Sequence, residues 1–422
     1  MPALPLSLLP DNAAVDEEGR LAIAGCDTLD LADEFGTPLI VYDEAHLRDR
    51  CRRVVASFGD NAAYAAKAFL CLAMARLVHE EGMRIDVATE GEAFVALSAG
   101  VTPDRLVVHG NNKSPNELRT ALERRVGRLV VDGFDEMDRI EHLVEEGCPV
   151  PAVFLRITPG VTAHTHEYLT TGQDDSKFGF TVSNGDAGRA VRRALASAAF
   201  EVRGIHAHIG SQVFRVESFT EALAAVAEFA APFALPEISI GGGLGVAYVE
   251  GEAAPSIEQW AAALREAAAA CGLNADLWVE PGRAVAGSAA VTLYTVGSIK
   301  RIPGTRTYVA VDGGMSDNPR PVLYGSGYTT FLPRSVAAER HLPIRLVGKH
   351  CESGDVLVRD GRVPQDLTVG DVLAVPVTGA YGHSMGSRYN KMLRPAVVFV
   401  CDGDARLVIR RDSLDDLIRN DL

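Results

Sequence analysis

Apolar and polar positions alternate on two length scales in the first two thirds of the chain. Short β-branched runs have the length of buried strands, whereas segments such as 218–233 and 256–272 carry apolar residues at helical spacing. The candidate strands are PLIVY, AAYAAKA, RIDVAT, RLVVHG, RLVVDG, AVFLRIT, GIHAHIG, EISIGGG and LWVEPGR. Eight or nine strand-helix units in about 250 residues predict a parallel (β/α)8 barrel of the TIM type.

The pattern changes near residue 286. Helical spacing gives way to short alternating strands separated by Gly and Pro, as in 290–302 and 370–381. Such a pattern predicts an antiparallel β domain. We therefore predict a barrel domain over 33–285 and a β domain over 286–422. Residues 1–32, with the strand-like GRLAIAG, are expected to join the β domain.

Composition narrows the class of protein. The chain has 422 residues and a formal net charge of -15, which argues against a nucleic-acid partner and favours an enzyme that acts on small molecules. No apolar run is long enough to cross a membrane, and the first residues lack the basic region of a secretory signal. The seven cysteines are scattered and form no CxxC pair, so we expect reduced thiols in a cytoplasmic protein and no metal.

Lys67 ends one of the candidate strands, in the stretch YAAKAF. Residues of the site in a parallel barrel lie at the carboxyl ends of the strands. We expect Ala65, Ala66 and Ala68 to leave room around Lys67 and expect its amine to be desolvated, which would make it a nucleophile towards a carbonyl group. A lysine that extends along the surface to solvent is the alternative for this stretch alone. The other five lysines lie in polar loops, beside a turn or in the second domain, so Lys67 is the best Schiff-base candidate.

Three further motifs fall at strand ends. ISIGGGLG (238–245) provides glycines whose backbone can approach an anion, and HAHIGSQ (206–212) provides an imidazole and a hydroxyl. WVEPGRAV (278–285) adds Glu280 and Arg283, a carboxylate and a guanidinium. Taken alone, the glycine motif could be only a tight turn, the histidine motif a core histidine, and the Glu280–Arg283 motif a surface ion pair. Together with the lysine, the four motifs predict an active site.

The motifs YAAKAF, HIGSQ, GGGLG and EPGR, in this order, resemble the barrel of the fold-type III pyridoxal-phosphate decarboxylases, which are related to alanine racemases. VDGGMSDNPRPVLYG (311–325), GKHCESGDVL (348–357) and GAYGHSMGSRYN (379–390) resemble the diaminopimelate decarboxylase family within that group, as does the segment 156–180. The resemblance extends from about residue 35 to the end of the chain.

The resemblance implies pyridoxal 5'-phosphate as the cofactor. Lys67 would form a Schiff base with it, His208 would stack on its ring, and Glu280 would pair with the ring nitrogen. The phosphate group would be bound by Ser211, Gly243, Gly282, Arg283 and Tyr381.

The resemblance also implies the residues that bind substrate. The far end of the substrate would contact Arg283, Arg320, Tyr324, Tyr381 and Glu352, the last of which would accept its ammonium group. Cys351 would act with Lys67 in catalysis as the acid that protonates the product, and His350 and Lys349 could tune its thiol. Because the segment of Cys351 reaches the other subunit's site in this family, a homodimer with shared sites is implied. The family often has a cysteine after GAY, where this chain has Gly382.

The implied reaction removes CO2 from meso-2,6-diaminoheptanedioate and yields L-lysine, the last step of bacterial lysine biosynthesis. A related decarboxylase acting on another basic or carrier-tethered amino acid is the nearest alternative. A metal-dependent barrel hydrolase that uses His206 and His208 is more distant, because no other histidine is expected at a later strand end. A non-catalytic cofactor carrier is disfavoured because it would not need the β domain with its CESGD block. A racemase is disfavoured because no tyrosine is found in the β-domain setting expected for its base.

Overall fold

The computed structural model describes residues 6–160 and 175–422. Most of the motif at 156–180 therefore lies outside the described residues. The chain divides into two compact units. We call the described part of 50–245 and 254–284 the barrel unit, and that of 1–49, 246–253 and 285–422 the β unit.

Eight parallel strands form the barrel unit, as the sequence predicts. They are Ala63–Ala65, Arg84–Val87, Leu106–Val108, Arg128–Val131, Ala152–Thr158, Glu201–His206, Glu237–Ser239 and Asp276–Trp278. Backbone hydrogen bonds close the ring, because Ala63 N donates to Val279 O at 2.9 Å and Val279 N donates to Asn61 O at 3.1 Å. A two-residue strand, Phe180–Thr181, pairs in parallel with the fifth strand. The predicted (β/α)8 barrel is confirmed.

The helices of the barrel unit begin at residues suited to that position. Ser114 and Ser256 each form a capping box with a Glu or Gln three residues later, and Pro115 stands at a first helical position where no backbone donor is needed. The helices are Leu72–Glu80, Glu90–Ser98, Pro115–Glu123, Phe134–Glu145, Asp186–Ala196, Val216–Ala230 and Ile257–Ala270. Glu44–Phe58 and Arg283–Ala286 contain residues of both units.

The inside of the barrel is filled with apolar side chains. Ala63, Val107, Val130, Phe154 and Trp278 form one buried cluster, in which the rings of Phe154 and Trp278 meet edge to face with centroids 5.4 Å apart. Alanine and two valines pack with the two aromatic rings, so this cluster forms a packed apolar layer within the barrel.

The β unit contains an eight-stranded sheet. In spatial order its strands are Val356–Val363, Leu342–Val347, Arg306–Val311, Ala290–Ile302, Leu39–Asp43, Ala396–Cys401 and Asp404–Ile409, with Val372–Pro376 also paired to Ala290–Ile302. Most pairs are antiparallel, but Arg306–Val311 with Leu342–Val347 and Leu39–Asp43 with Ala396–Cys401 are parallel. The predicted antiparallel β domain is confirmed as a mostly antiparallel sheet that includes two parallel pairs.

The strand Leu39–Asp43 corrects one prediction from the sequence. Its sequence run, PLIVY, was expected in the barrel, but it pairs with Ala290–Ile302 and Ala396–Cys401. All five of its residues are buried, so the run has no alternation that could indicate which sheet it joins.

The N-terminal segment forms a small sheet of its own within the β unit. Its strands are Ala13–Val15, Leu21–Ile23 and Cys26–Asp27. The helices of this unit are Thr28–Phe35, Arg320–Tyr324 and Leu414–Ile418. Within 6–160 and 175–422, no helix combines the length and apolar character needed to cross a membrane. All seven cysteines are described, and all are free thiols.

Candidate functional site

Lys67 lies just beyond the first barrel strand. The strand ends at Ala65, and Lys67 belongs to a single turn of 3-10 helix, Ala66–Ala68. The Lys67 side chain is 51% exposed, and its Nζ lies 3.8 Å from Oδ2 of the buried Asp86. The expected desolvation of this amine was therefore wrong. Lys67 is accessible and stands beside a carboxylate.

The alanines around Lys67 have a packing role. Ala65 and Ala68 are buried, and a Cβ atom added to Gly282 would lie 3.0 Å from the Cβ atom of each. Because both neighbours are small and Gly282 has no side chain, the EPGR turn can pass directly against the segment that carries Lys67. The small residues thus bring two predicted motifs together.

Glu280 is a buried carboxylate at the mouth of the barrel, two residues after the last strand. His206 Nε2 donates to its Oε2 at 2.9 Å, and Ser239 Oγ donates to its Oε1 at 3.1 Å. Burial opposes ionisation, but His206 and the neighbouring His109 hold the pKa of Glu280 well below its usual range. Burial lowers the pKa of His206 itself. Glu280 therefore remains a carboxylate at neutral pH, held in place by neutral donors.

His109 was missed by sequence reasoning. It directly follows the strand Leu106–Val108, and its Nε2 lies 3.6 Å from Asp86 Oδ1 and 3.4 Å from Glu280 Oε1. Its ring meets that of His206 edge to face, with centroids 4.8 Å apart. The run RLVVHG could have indicated this residue, because His109 stands at the end of a predicted strand.

His109, His206 and Glu280 also bear on the metal alternative. One potential ligand atom from each residue lies within 4.8 Å of the others. His109 follows an earlier strand than His206, so the expectation about later strand ends did not cover it. His208, the second histidine of that hypothesis, is not a member of this cluster.

His208 is oriented by the glycine turn. Gly242 N donates to its Nδ1 at 3.3 Å. Burial, together with the positive charges of Lys67 and Arg156, lowers the pKa of His208 well below its usual value. The imidazole is therefore neutral with its proton on Nε2, and its orientation relative to the turn is set by Nδ1.

The turn itself requires glycine. Gly243 has a φ of 112°, and a Cβ atom there would lie 2.3 Å from Gly210 O, while one at Gly242 would lie 2.1 Å from Glu280 O. Beside this turn, Arg283 Nη2 donates to Ser211 Oγ at 2.9 Å. The predicted phosphate-binding residues of the barrel unit thus meet at one place, where backbone and guanidinium groups favour an anion.

Arg320 is the most buried of the predicted substrate residues in the β unit. Its Nη1 donates to Tyr328 Oη at 2.6 Å, and its guanidinium lies over the ring of Tyr248 at 4.1 Å from the centroid. Within the described part of the chain, no carboxylate lies within ion-pair distance of Arg320. A buried cation without an anion is costly, so this position is suited to an anionic group of a ligand.

Cys351 and Glu352 lie on an exposed loop of the β unit. Asn390 Oδ1 accepts a hydrogen bond from Cys351 N at 3.0 Å and lies 3.3 Å from His350 Nδ1. His350 Nε2 lies 2.8 Å from Ser316 Oγ. The His350 imidazole therefore holds the loop in place through hydrogen bonds at both ring nitrogens and does not contact the thiol. Asn390 is a further positioning residue, which sequence reasoning missed.

Tyr381 has an unusual backbone. Its φ is 61°, a conformation that is rare for a bulky residue and is often found at functional sites. Gly382, where the related family often has cysteine, would place an added Cβ atom 3.1 Å from Thr378 O. Tyr324 is half-buried, with its hydroxyl 3.9 Å from Met385 Sδ.

The predicted residues are divided between the two units. The barrel unit holds Lys67, His208, Ser211, Gly243, Glu280, Gly282 and Arg283, and the β unit holds Arg320, Tyr324, Cys351, Glu352 and Tyr381. The barrel residues lie at the carboxyl ends of the strands, as predicted for a parallel barrel.

Comparison with known proteins agrees with this geometry. Residues 44–287 match the family model for the pyridoxal-dependent decarboxylase, pyridoxal binding domain. Diaminopimelate decarboxylase from Mycobacterium tuberculosis (strain ATCC 25618 / H37Rv) is 46% identical over 97% of this chain and 96% of the relative. The enzyme of that name from Bacillus subtilis (strain 168) is 44% identical over 96% of each chain.

Solved structures show the same similarity. Diaminopimelate decarboxylase from M. jannaschii has a TM-score of 0.91 and 31% identity, with 98% of both chains covered. The enzyme from Helicobacter pylori, solved in complex with L-lysine, has a TM-score of 0.86 and 30% identity, with 93% of this chain and 98% of that chain covered. The barrel with its strand-end lysine, the mixed sheet and these near full-length matches show that the chain belongs to the diaminopimelate decarboxylases of the pyridoxal-dependent decarboxylase family.

Proposed function

We propose that the protein removes the carboxylate at the D-configured centre of meso-2,6-diaminoheptanedioate and releases L-lysine and CO2. The observation that carries the proposal is Glu280, a buried carboxylate held between His206 and Ser239 at the barrel mouth, where Lys67 offers an accessible amine beside Asp86. The names of the similar enzymes support this substrate, as does the L-lysine bound to one of them. In bacteria this reaction would be the last step of lysine biosynthesis.

The barrel residues fit pyridoxal phosphate. The group combines a pyridine ring, an aldehyde and a phosphate, and the barrel mouth offers a matching partner for each. Glu280 is suited to the ring nitrogen and Lys67 to the aldehyde. The glycine turn at Gly243, with Arg283 and Ser211, is suited to the phosphate. An added Cβ atom at Gly243 would lie 2.3 Å from Gly210 O, so the turn can form only with glycine at this position.

Each residue then has a defined task. When bound, pyridoxal phosphate supplies an electron sink that stabilises negative charge at the substrate α-carbon. Glu280 would hold a proton on the pyridine nitrogen, and neutral His208 would cover one face of the ring. Lys67 would hold the aldehyde group, and its exposed position would leave that group open to the substrate amine. Gly282 and Tyr381 would complete the binding of the phosphate group.

The β unit supplies the groups for the distal end of the substrate. Buried Arg320 pairs with the distal carboxylate, since a planar guanidinium matches carboxylate geometry. Tyr324, Tyr381 and Arg283 help to hold that end, and Glu352 accepts the distal ammonium. Cys351 donates the proton that replaces CO2 at the α-carbon.

The test of the function is substrate-resolved release of CO2. The holoenzyme is expected to release CO2 from the meso isomer and to form L-lysine, whereas the L,L isomer, ornithine and arginine should give little or none. Chelators should leave the rate unchanged. Faster turnover of ornithine or arginine would favour the related decarboxylases, and loss of activity with chelator that zinc restores would favour the metal alternative.

The protein is further proposed to act as a homodimer with shared sites. Cys351 and Glu352 are exposed on their loop, which leaves them available to a second subunit. Lys67→Ala and Cys351→Ala subunits with different affinity tags are co-expressed, and the mixed dimer is purified through both tags. Because shared sites leave one of two complete, the mixed dimer should show about half the wild-type activity per dimer.

The parent homodimers provide the control, since both should be nearly inactive. If Cys351 served the site of its own subunit, neither site of the mixed dimer would be complete, so absence of recovery would overturn the shared arrangement. A monomeric elution volume would do the same. We propose a cytoplasmic location, which the seven free thiols support.

A further inference from the structure

A cavity of about 640 Å³ lies in the β unit, at strand ends that carry none of the residues discussed above. Arginines dominate its lining: Arg301, Arg306, Arg359 and Arg362 contribute, against a single carboxylate from Asp360. The strand Val356–Val363 begins near the Cys351 loop, and the cavity lies towards its other end. The cavity is therefore separate from the proposed substrate residues of this unit.

The strand register shows how the cations are gathered. Lys300 is opposite Tyr308, which is opposite Arg345, so these three share one face of the sheet. Two residues along the strands, Ile302 is opposite Arg306 and Pro343 is opposite Arg362, which places these arginines on the same face.

The other face of these strands is apolar. Val309, Ile344 and Leu346, which alternate with the residues above, are buried in the core of the β unit. The cationic face is consequently the outer one. An extra residue in Val356–Val363 disrupts the register there, and Arg345 Nε donates to Arg359 O at 3.3 Å across this irregularity.

These cations are not neutralised within the chain. In the described residues, no carboxylate is within ion-pair distance of Lys300, Arg301, Arg306, Arg345, Arg359 or Arg362. Like charges on neighbouring strands are destabilising, and the whole chain carries a net charge of -15. A local excess of positive charge in an acidic protein is an arrangement that a bound anion would stabilise.

The residues that line the cavity indicate which kind of anion it would bind. Arginine forks bind phosphate oxygens in pairs, and several arginines around one cavity favour a ligand with several charges. Ile302, Leu342 and Pro343 add an apolar part to the lining, which is suited to an organic ring. The volume is that of a small-molecule site, and the overall negative charge disfavours a long polyanion such as DNA.

We propose that this cavity is a binding site for a nucleoside di- or triphosphate, with the phosphates on the arginines and the base or ribose against the apolar residues. The site is independent of the decarboxylation proposed above. Its occupation and its loss can be measured without any assay of that reaction.

The test is calorimetric titration of the pyridoxal-phosphate-loaded full-length protein with ATP, so that the cofactor's own phosphate site is filled. ATP should bind with a strong dependence on salt, tripolyphosphate more weakly, and adenosine not detectably. The double variant Arg306→Gln/Arg362→Gln should raise the Kd for ATP about tenfold for each arginine. Arg359→Gln, at an exposed position, provides a second variant if the double variant folds poorly.

The matched control is Arg119→Gln/Arg189→Gln, which removes the same charge from exposed helical positions of the barrel unit. It should leave the Kd for ATP unchanged, and all variants should retain the wild-type decarboxylation rate. The proposal is overturned if ATP does not bind, if the control weakens binding as much as the cavity variants, or if the cavity variants bind normally. Tighter binding of a short DNA duplex than of ATP, dependent on the same arginines, would also overturn it.

Discussion

Lys67→Ala is expected to abolish covalent attachment of pyridoxal phosphate and to lower the decarboxylation rate by at least about 1000-fold. Lys67 is accessible at the barrel mouth, with its Nζ 3.8 Å from Asp86. Lys113 is a buried lysine in a loop of the same unit, and its amine already donates to Gly110 O, Val130 O and Glu136 Oε1, each at 2.7 Å. Its three donor positions are therefore used by the fold.

The measurement is the visible absorbance of the holoenzyme, followed by borohydride reduction and mass spectrometry of the peptides. Wild-type protein should carry the adduct on the peptide that contains Lys67. The control variant Lys300→Ala, on an exposed sheet face, should retain both the adduct and the activity. An adduct on another lysine, or more than a few per cent of wild-type activity in Lys67→Ala, would remove the assignment.

Much of the barrel could be predicted because eight runs of apolar residues, each followed by a helical segment, have few other ways to bury their surface. The strand Leu39–Asp43 was misassigned because it is apolar at every position. Such a run predicts a buried strand but carries no information about its partners. Pairing with Ala290–Ile302 depends on residues about 250 positions away in the chain, which no local pattern records.

The main residues of the site could be predicted from motifs. Contacts between residues that are distant in sequence were missed. Asn390 reaches Cys351 across 39 residues, and nothing near either residue indicates that contact. The exposure of Lys67 was misjudged for a different reason. The strand ends two residues earlier than the pattern suggested, and a 3-10 turn rotates the side chain out of the strand's alternation. Element boundaries decide such details, and they are the least predictable part of a local pattern.

Glu280→Gln is expected to lower the decarboxylation rate about 100-fold, or ~2.7 kcal/mol in the activation barrier, with pyridoxal phosphate still bound. The amide has the volume of the carboxylate, and its oxygen can still accept a hydrogen bond from His206 while its NH2 group donates to Ser239 Oγ. It lacks the negative charge that keeps the ring nitrogen protonated. The rate is measured at saturating substrate and the cofactor content from its absorbance.

Ser239→Ala is the matched control for Glu280→Gln, because it removes a donor to Glu280 and leaves the charge in place. Its rate should fall only a few-fold, so equal losses in the two variants would show that hydrogen bonding, not charge, is the cause.

The pH dependence of stability provides a second readout for Glu280→Gln. Since the folded-state pKa of Glu280 is lowered, its ionised form stabilises the fold above the unfolded-state pKa, and this contribution is lost as the pH falls through the folded-state value. Glu280→Gln should therefore lower the Tm at pH 7 and have a smaller effect at strongly acidic pH. A variant whose Tm deficit grows on acidification would contradict the ionised state of Glu280 on which the assignment depends.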